Sequence, residues 1–292
     1  MKRKKSIYAW WLLLPAILIY SIFFIIPNVA GMVLGFTDWN VYFFDDIRFN
    51  GLENFARLFQ EKTFWIAVKN TFYFAIMTVV LKNVLGFLMA LAVRGESKFK
   101  SYLRTVIFLP IMISSIVVCI IFVSIYNPST GILNQFLNGI GLHVLAKPWL
   151  VDERYAMNAI VAMEVWQWTG LNMLIFYSGM QAIPSEYYEA AKIDGASFWQ
   201  EVRYVMLPLM VQSFTITFIF SIISGLKVFS QVYGTTNGGP ADSTQVMATF
   251  LYRSFSHGHY GYSAAVGFVF MVLIMLFSVI VFGILRKKEV EY

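Results

Sequence analysis

Lys82, Glu164 and Lys227 stand inside long apolar runs, where a charge facing lipid costs about 3 kcal/mol or considerably more. Each must therefore face a protein interior or a wet cavity. Lys82 and Glu164 fall near the middle of their runs and can neutralise one another as a pair. Beyond Glu164 the chain reads Trp166-Gln-Trp168-Thr-Gly170-Leu-Asn172, followed by Tyr177. Amide and hydroxyl groups bind sugar hydroxyls, an aromatic face suits the C–H surface of a sugar ring, and Gly170 permits close approach. Ser224, Lys227 and Gln231, spaced by three and four, roughly share one helical face and form a second group of candidates for a carbohydrate path. Packing and interfacial duty compete with this reading, because aromatic residues make up 18% of the chain. Lys227 can also snorkel to the surface.

Other chemistries are missing from the sequence. It has no Gly-x-x-x-x-Gly-Lys-Ser/Thr phosphate loop, no His-Glu-x-x-His zinc motif and no Gly-x-Ser-x-Gly nucleophile turn. Any ATP must be hydrolysed by another polypeptide, and no catalytic residue is expected here. His257 and His259 lack the carboxylate or cysteine support that a metal needs, so no metal site is expected. The lone Cys119 lies in an apolar run and excludes an internal disulfide.

The elements that must position these residues are membrane helices. Of 292 residues 59% are hydrophobic and 13% charged, and the apolar blocks are too long and too continuous for the alternating strands of a barrel. Six spans are expected, over 8–33, 66–93, 103–126, 156–181, 205–233 and 261–285, in a single transmembrane domain covering 1–292. The basic start Lys2-Arg-Lys-Lys5 resembles a signal peptide, but the apolar block after it runs long and lacks a small-residue cleavage pattern, so it is read as a retained span. With both termini cytoplasmic, the inner segments carry thirteen Lys and Arg against six outside, which fixes that orientation and explains the net charge of +6 without nucleic acid. Leu52, Phe55, Ala56 and Phe59 recur at helical spacing and predict a short interfacial helix. An echo between Arg104…Leu109-Pro110 and Arg203…Leu207-Pro208 relates helices of one direction; it gives no support to inverted repeats, and an apolar composition can produce it by chance.

The inner loop 182–208 reads as two helices joined at a glycine. Pro184 and Ser185 start the first, Glu186 and Glu189 suit its positive end, and Gly195 closes it in the left-handed conformation. Ser197 and Gln200 form a capping box for the second. The outcome is a rigid cytoplasmic knob, with small Ala190 and Ala191 allowing another backbone to come close.

Glu189-Ala-Ala191, Asp194-Gly195-Ala196, Val205 and Leu207-Pro208 together resemble the "EAA" loop of importer-type ABC permeases; Val205 stands where that family usually has isoleucine. Gly51-Leu-x-Asn54-Phe55, Trp65 through Asn70-Thr71, Trp149-Leu150 and Asn237-Gly-Gly-Pro240 with Thr244 are similar to the carbohydrate-uptake branch. The resemblance implies an all-α fold of the type I importer permease in a bacterial cytoplasmic membrane, working by alternating access. It implies a coupling role for Glu189, Ala190, Ala191, Asp194, Gly195 and Pro208. It also implies a second related permease, two ATPase subunits that bind ATP and Mg, and an extracellular solute-binding protein delivering a sugar or oligosaccharide. An ion-driven secondary transporter or channel is the main rival, and it leaves the knob unexplained. A membrane sensor or scaffold lacks any visible signalling motif.

Overall fold

The computed structural model describes residues 10–286, so the basic termini with Lys2–Lys5, Lys287 and Lys288 lie outside the described residues, as does the start of the expected first span. Among the described residues the chain is helical, with one isolated backbone bridge between Thr37 and Phe49. In order, the helices are α1 (Leu14–Leu34), α2 (Glu53–Gln60), α3 (Lys62–Ala92), α4 (Lys98–Phe108), α5 (Ser115–Ile125), α6 (Ile132–Gly139) and α7 (Ala156–Ala182). They continue as α8 (Ser185–Ile193), α9 (Phe198–Leu209), α10 (Val211–Leu226), α11 (Ser230–Thr235), α12 (Met247–Ser256) and α13 (Tyr260–Arg286).

Four of these helices hold a stretch long and apolar enough to cross a bilayer: α1, α3, α7 and α13. The expected straight spans 103–126 and 205–233 are instead bent pairs, α4 with α5 at 98° and α9 with α10 at 71°. Each bend follows one of the Leu-Pro steps of the sequence echo. After Pro110 the chain is extended at Ile113 and Ser114, and after Pro208 it turns at Met210. Proline removes a backbone donor and crowds the preceding turn, which makes these the natural places to bend. The echo thus marks both elbows, which differ in angle and in backbone conformation.

Two compact units are distinguished, residues 1–61 with 251–273, and 62–250 with 274–292. In the first, Asn54 Nδ2 donates to the carbonyls of Gly35 (3.0 Å) and Thr37 (2.7 Å), while Phe36, Phe55 and Phe268 pack ring against ring. Helix α2 turns Asn54, Phe55 and Leu58 inward and leaves Leu52 and Phe59 exposed. Its inner face is therefore rotated from the one that apolar spacing predicts, because Asn54 is used as a backbone clamp.

In the second unit α3 and α7 lie side by side. Phe74, Val118, Ile160 and Val232 belong to an apolar cluster toward one end, and Ala90, Phe176, Met180 and Met206 to another toward the opposite end. Two resemblance motifs prove to be one structure: Asn70 Nδ2 donates to the carbonyls of Ser243 (2.8 Å) and Gln245 (3.0 Å), holding the loop that follows Asn237-Gly-Gly-Pro240. Gly170 of α7 meets the end of α4 so closely that a Cβ there would stand 2.3 Å from the carbonyl oxygen of Ile107. The variant Gly170→Ala must force these helices apart, at a cost of about 1–3 kcal/mol. Thermal unfolding of the purified chain is expected to show this loss, and wild-type stability would mean that the helices yield freely.

Candidate functional site

The charges that the sequence places within apolar runs do find each other. Lys82 Nζ on α3 lies 3.2 Å from Glu164 Oε1 on α7, both side chains only 3% exposed. Lys82 also donates to Ser224 Oγ of α10 (3.3 Å), and Gln231 Nε2 of α11 donates to Glu164 Oε2 (2.7 Å). A step along α7, Asn172 Nδ2 donates to Ser221 Oγ (3.2 Å), and Ser224 Oγ donates to the Ser221 carbonyl (3.1 Å). These bonds form a continuous polar layer between the two apolar clusters. Such a layer is tolerated in a low-dielectric interior because its members satisfy one another.

The expected path residues separate into groups. Asn172, Ser224 and Gln231 belong to this layer. Ser224, Lys227 and Gln231 do not share one uninterrupted helical face, since α10 ends at Leu226 and α11 begins at Ser230. Ser224 and Lys227 are exposed, whereas the Gln231 carboxamide is turned inward to Glu164. Trp168 is half-buried with its indole N–H unpartnered, and Gly170 serves the packing described above. Trp166 is exposed and packs on Phe122 at 5.2 Å. Tyr177 lies far along α7, beneath the Arg104 guanidinium at 4.4 Å.

The predicted knob forms as its capping chemistry demands. Helix α8 closes at Gly195 with φ +72°, the Ala196 N–H reaching back to the Ala191 carbonyl (2.9 Å) and the Gly195 N–H to that of Lys192 (3.1 Å). The Ser197 N–H donates to Gln200 Oε1 (2.7 Å), one arm of the capping box that opens α9. Glu189, Ala190, Asp194 and Gly195 are exposed, and Pro208 lies at the elbow between α9 and α10. A hollow of about 370 Å³ is lined by Ala190, Ala191, Asp194, Gly195, Tyr187 and Tyr204, among others. Ile193, 87% exposed, and Trp199 project beside it.

Sequence reasoning missed what anchors the knob. Arg94, counted only as a topology charge, makes a 2.7 Å ion pair with Glu201 and stacks over Tyr188 at 4.4 Å. The Tyr188 hydroxyl donates to the Met180 carbonyl (3.1 Å), and burial raises its pKa against the lowering effect of Arg94. Arg104 donates to the carbonyls of Val93 and Gly95. The discoverable signal was an arginine on each side of Gly95, facing a loop rich in tyrosine and glutamate.

Residues 82–289 match the family described as binding-protein-dependent transport system inner membrane component. The chain is 32% identical over 281 residues to the probable ABC transporter permease protein YurN of Bacillus subtilis (strain 168), covering 95% of this chain and 96% of that one. It is 30% identical over 302 residues to the lactose transport system permease protein LacF of Rhizobium radiobacter, covering 99% and 97%. A solved chain of a bacterial ABC transporter involved in import of the acidic polysaccharide alginate superposes with a TM-score of 0.82 at 24% identity, covering 95% of this chain and 94% of that one, a likeness of fold.

Removing one member of a buried ion pair strands the other, at a cost of about 3–5 kcal/mol, whereas replacing both with apolar residues need not. Lys82→Met and Glu164→Gln alone are therefore expected to lower the folded protein recovered from membranes and its melting temperature. The double variant Lys82→Met with Glu164→Met should recover most of both. Undiminished single variants would refute the pairing.

Proposed function

The chain belongs to the family of binding-protein-dependent transport system inner membrane components, and from that premise we propose that it forms half of the membrane pathway of an ATP-driven sugar or oligosaccharide importer. The observation that carries the coupling part of this reading is the knob. Helix α8 exposes Tyr187 and Ile193, and the start of α9 exposes Trp199, around a hollow whose lining includes Ala190, Ala191 and Gly195. Exposed apolar surface of this kind on a rigid, anchored element calls for a protein partner. A separate ATPase subunit meets the need, with Glu189, Ala190, Ala191, Asp194 and Gly195 as its seat and Pro208 at the elbow that passes movement into α10. Two such subunits, binding ATP and Mg, serve the chain and a second related permease.

In this reading the four long helices and two bent pairs make six spans, with both termini and the knob on the cytoplasmic side of a bacterial cytoplasmic membrane. The distribution of basic residues supports that orientation. The polar layer lies within the bilayer, and the substrate path runs along its exposed edge at Ser224 and Lys227. Asn172 and Gln231 stand behind that edge, and Trp168 offers an unused indole donor. The names of the relatives, a lactose permease among them, support a carbohydrate as cargo. A solute-binding protein delivers it from outside, and the loaded receptor and ATP shift the pair between inward-open and outward-open states through their different affinities for each.

Uptake into vesicles carrying the assembled transporter should require both ATP and the loaded binding protein; uptake without ATP would favour an ion-driven carrier. Gly195→Val forces a β-branched residue into a left-handed backbone conformation, costing about 1–3 kcal/mol locally. That variant is expected to lose most ATP-driven uptake and to release the ATPase on purification. Unchanged uptake and association would refute the docking role.

A further inference from the structure

Helix α10 stops at Leu226 and α11 starts at Ser230, leaving Lys227, Val228 and Phe229 unwound inside what the sequence marks as a membrane span. In hydrocarbon such a break survives only where the protein satisfies the freed backbone groups. Here the Lys227 N–H reaches the Ile223 carbonyl at 3.2 Å, and the Cys119 thiol of α5 donates to the Ser230 carbonyl at 3.4 Å. These contacts hold backbone groups at the two ends of the break, but they do not set the direction of one half relative to the other.

Side chains on both flanks do. Ser224, three residues before the break, is held by Lys82, and Gln231, two residues after it, is held by Glu164. The ion pair joins the two ties into one chain, Ser224–Lys82–Glu164–Gln231, spanning the break from outside its own helix. The bonds that complete the hydrogen bonding of the two ions thus also bracket the break. We propose that Lys82 and Glu164 are positioning residues for transport: their ion pair is a brace that fixes the two halves of the broken helix, so that Ser224 and Lys227 are presented at the edge of the pathway. The brace is mounted on α3 and α7, whose own ladders are unbroken at these residues, so the break takes its geometry from rigid neighbours.

The transport role rests on the function proposed above, but the first readout does not. In membranes containing the full chain with Cys119→Ser, which keeps a donor for the Ser230 carbonyl, and Val228→Cys, residue 228 carries the sole thiol. Val228 is 4% exposed, so labelling by a small water-soluble methanethiosulfonate should be slow without substrate or partners. Adding Ser224→Ala with Gln231→Leu keeps both charges paired and removes both ties; adding Lys82→Met with Glu164→Met removes the pair and leaves no stranded charge. Each set is expected to raise the labelling rate about tenfold or more by letting the break open locally. In the assembled transporter with Cys119 intact, each should cut uptake to about a tenth at unchanged membrane content. Slow labelling in both sets would overturn the brace, and so would uptake lost without any change in labelling, which is the signature of substrate contact by Ser224 or Gln231. Fast labelling with full uptake would overturn the positioning role. If the Lys82 and Glu164 double variant fails to accumulate, the Ser224 and Gln231 set decides alone.

Discussion

A lysine and a carboxylate, each 3% exposed and 3.2 Å apart, are the most demanding groups in the second compact unit. Taking each ion out of water costs several kcal/mol, and attraction offsets this only if the remaining donors and lone pairs are also used. Lys82 alone cannot satisfy Glu164, nor Glu164 Lys82. Ser224 and Gln231 supply the missing partners, so side chains from α3, α7, α10 and α11 must converge on one point. That convergence fixes the register of α3 against α7, since sliding either helix by a turn would move its charge by about 5.4 Å and leave both ions stranded.

The packing around this point follows the same logic. Apolar clusters lie on both sides of the polar layer along α3 and α7, so the ions are sealed within protein, and Ser224 is the exposed member of the layer. Small residues stand at close contacts between these helices: Gly86 faces Asn172, and Gly225 faces Ala75. Close approach brings the polar side chains within bonding distance across the interface, as in other membrane bundles where small residues admit polar contacts.

The knob and the ion pair were legible in the sequence because each is dictated by few residues and strong local physics. Gly195 and the Ser197/Gln200 box need no tertiary context, and two opposite charges in apolar runs have few other partners. The elbows and the break were not legible. Proline within a membrane helix is compatible with an uninterrupted span, and Lys227-Val-Phe229 contains no residue that ends a helix by itself. The surroundings of Trp166 and Tyr177 were not legible for a related reason. Helix α7 is buried on most of its circumference, so apolar periodicity does not say which side faces a path, a neighbour or solvent. Arg94 was counted for its charge and not for the stacking and bidirectional contacts that a guanidinium makes.

Two arms of chain join the knob to the polar layer. Helix α7 runs unbroken from Glu164 to Ala182, about 27 Å at 1.5 Å per residue, and the turn of chain after it is clamped by Tyr188 and by the Arg94–Glu201 pair. Two residues with extended backbone, Ile183 and Pro184, separate α7 from α8, so these contacts and not a continuous helix hold the link. On the other side of the knob, α9 meets α10 at a 71° elbow beside Pro208, and α10 ends at the break. One arm is stiff and the other is articulated at two places. The contacts joining α10 and α11 to α3 and α7 here are those of the polar layer, Ser224 through Lys82 to Glu164 and on to Gln231. If the proposed partner seats at the knob, movement there meets the polar layer by way of α9, its elbow and α10.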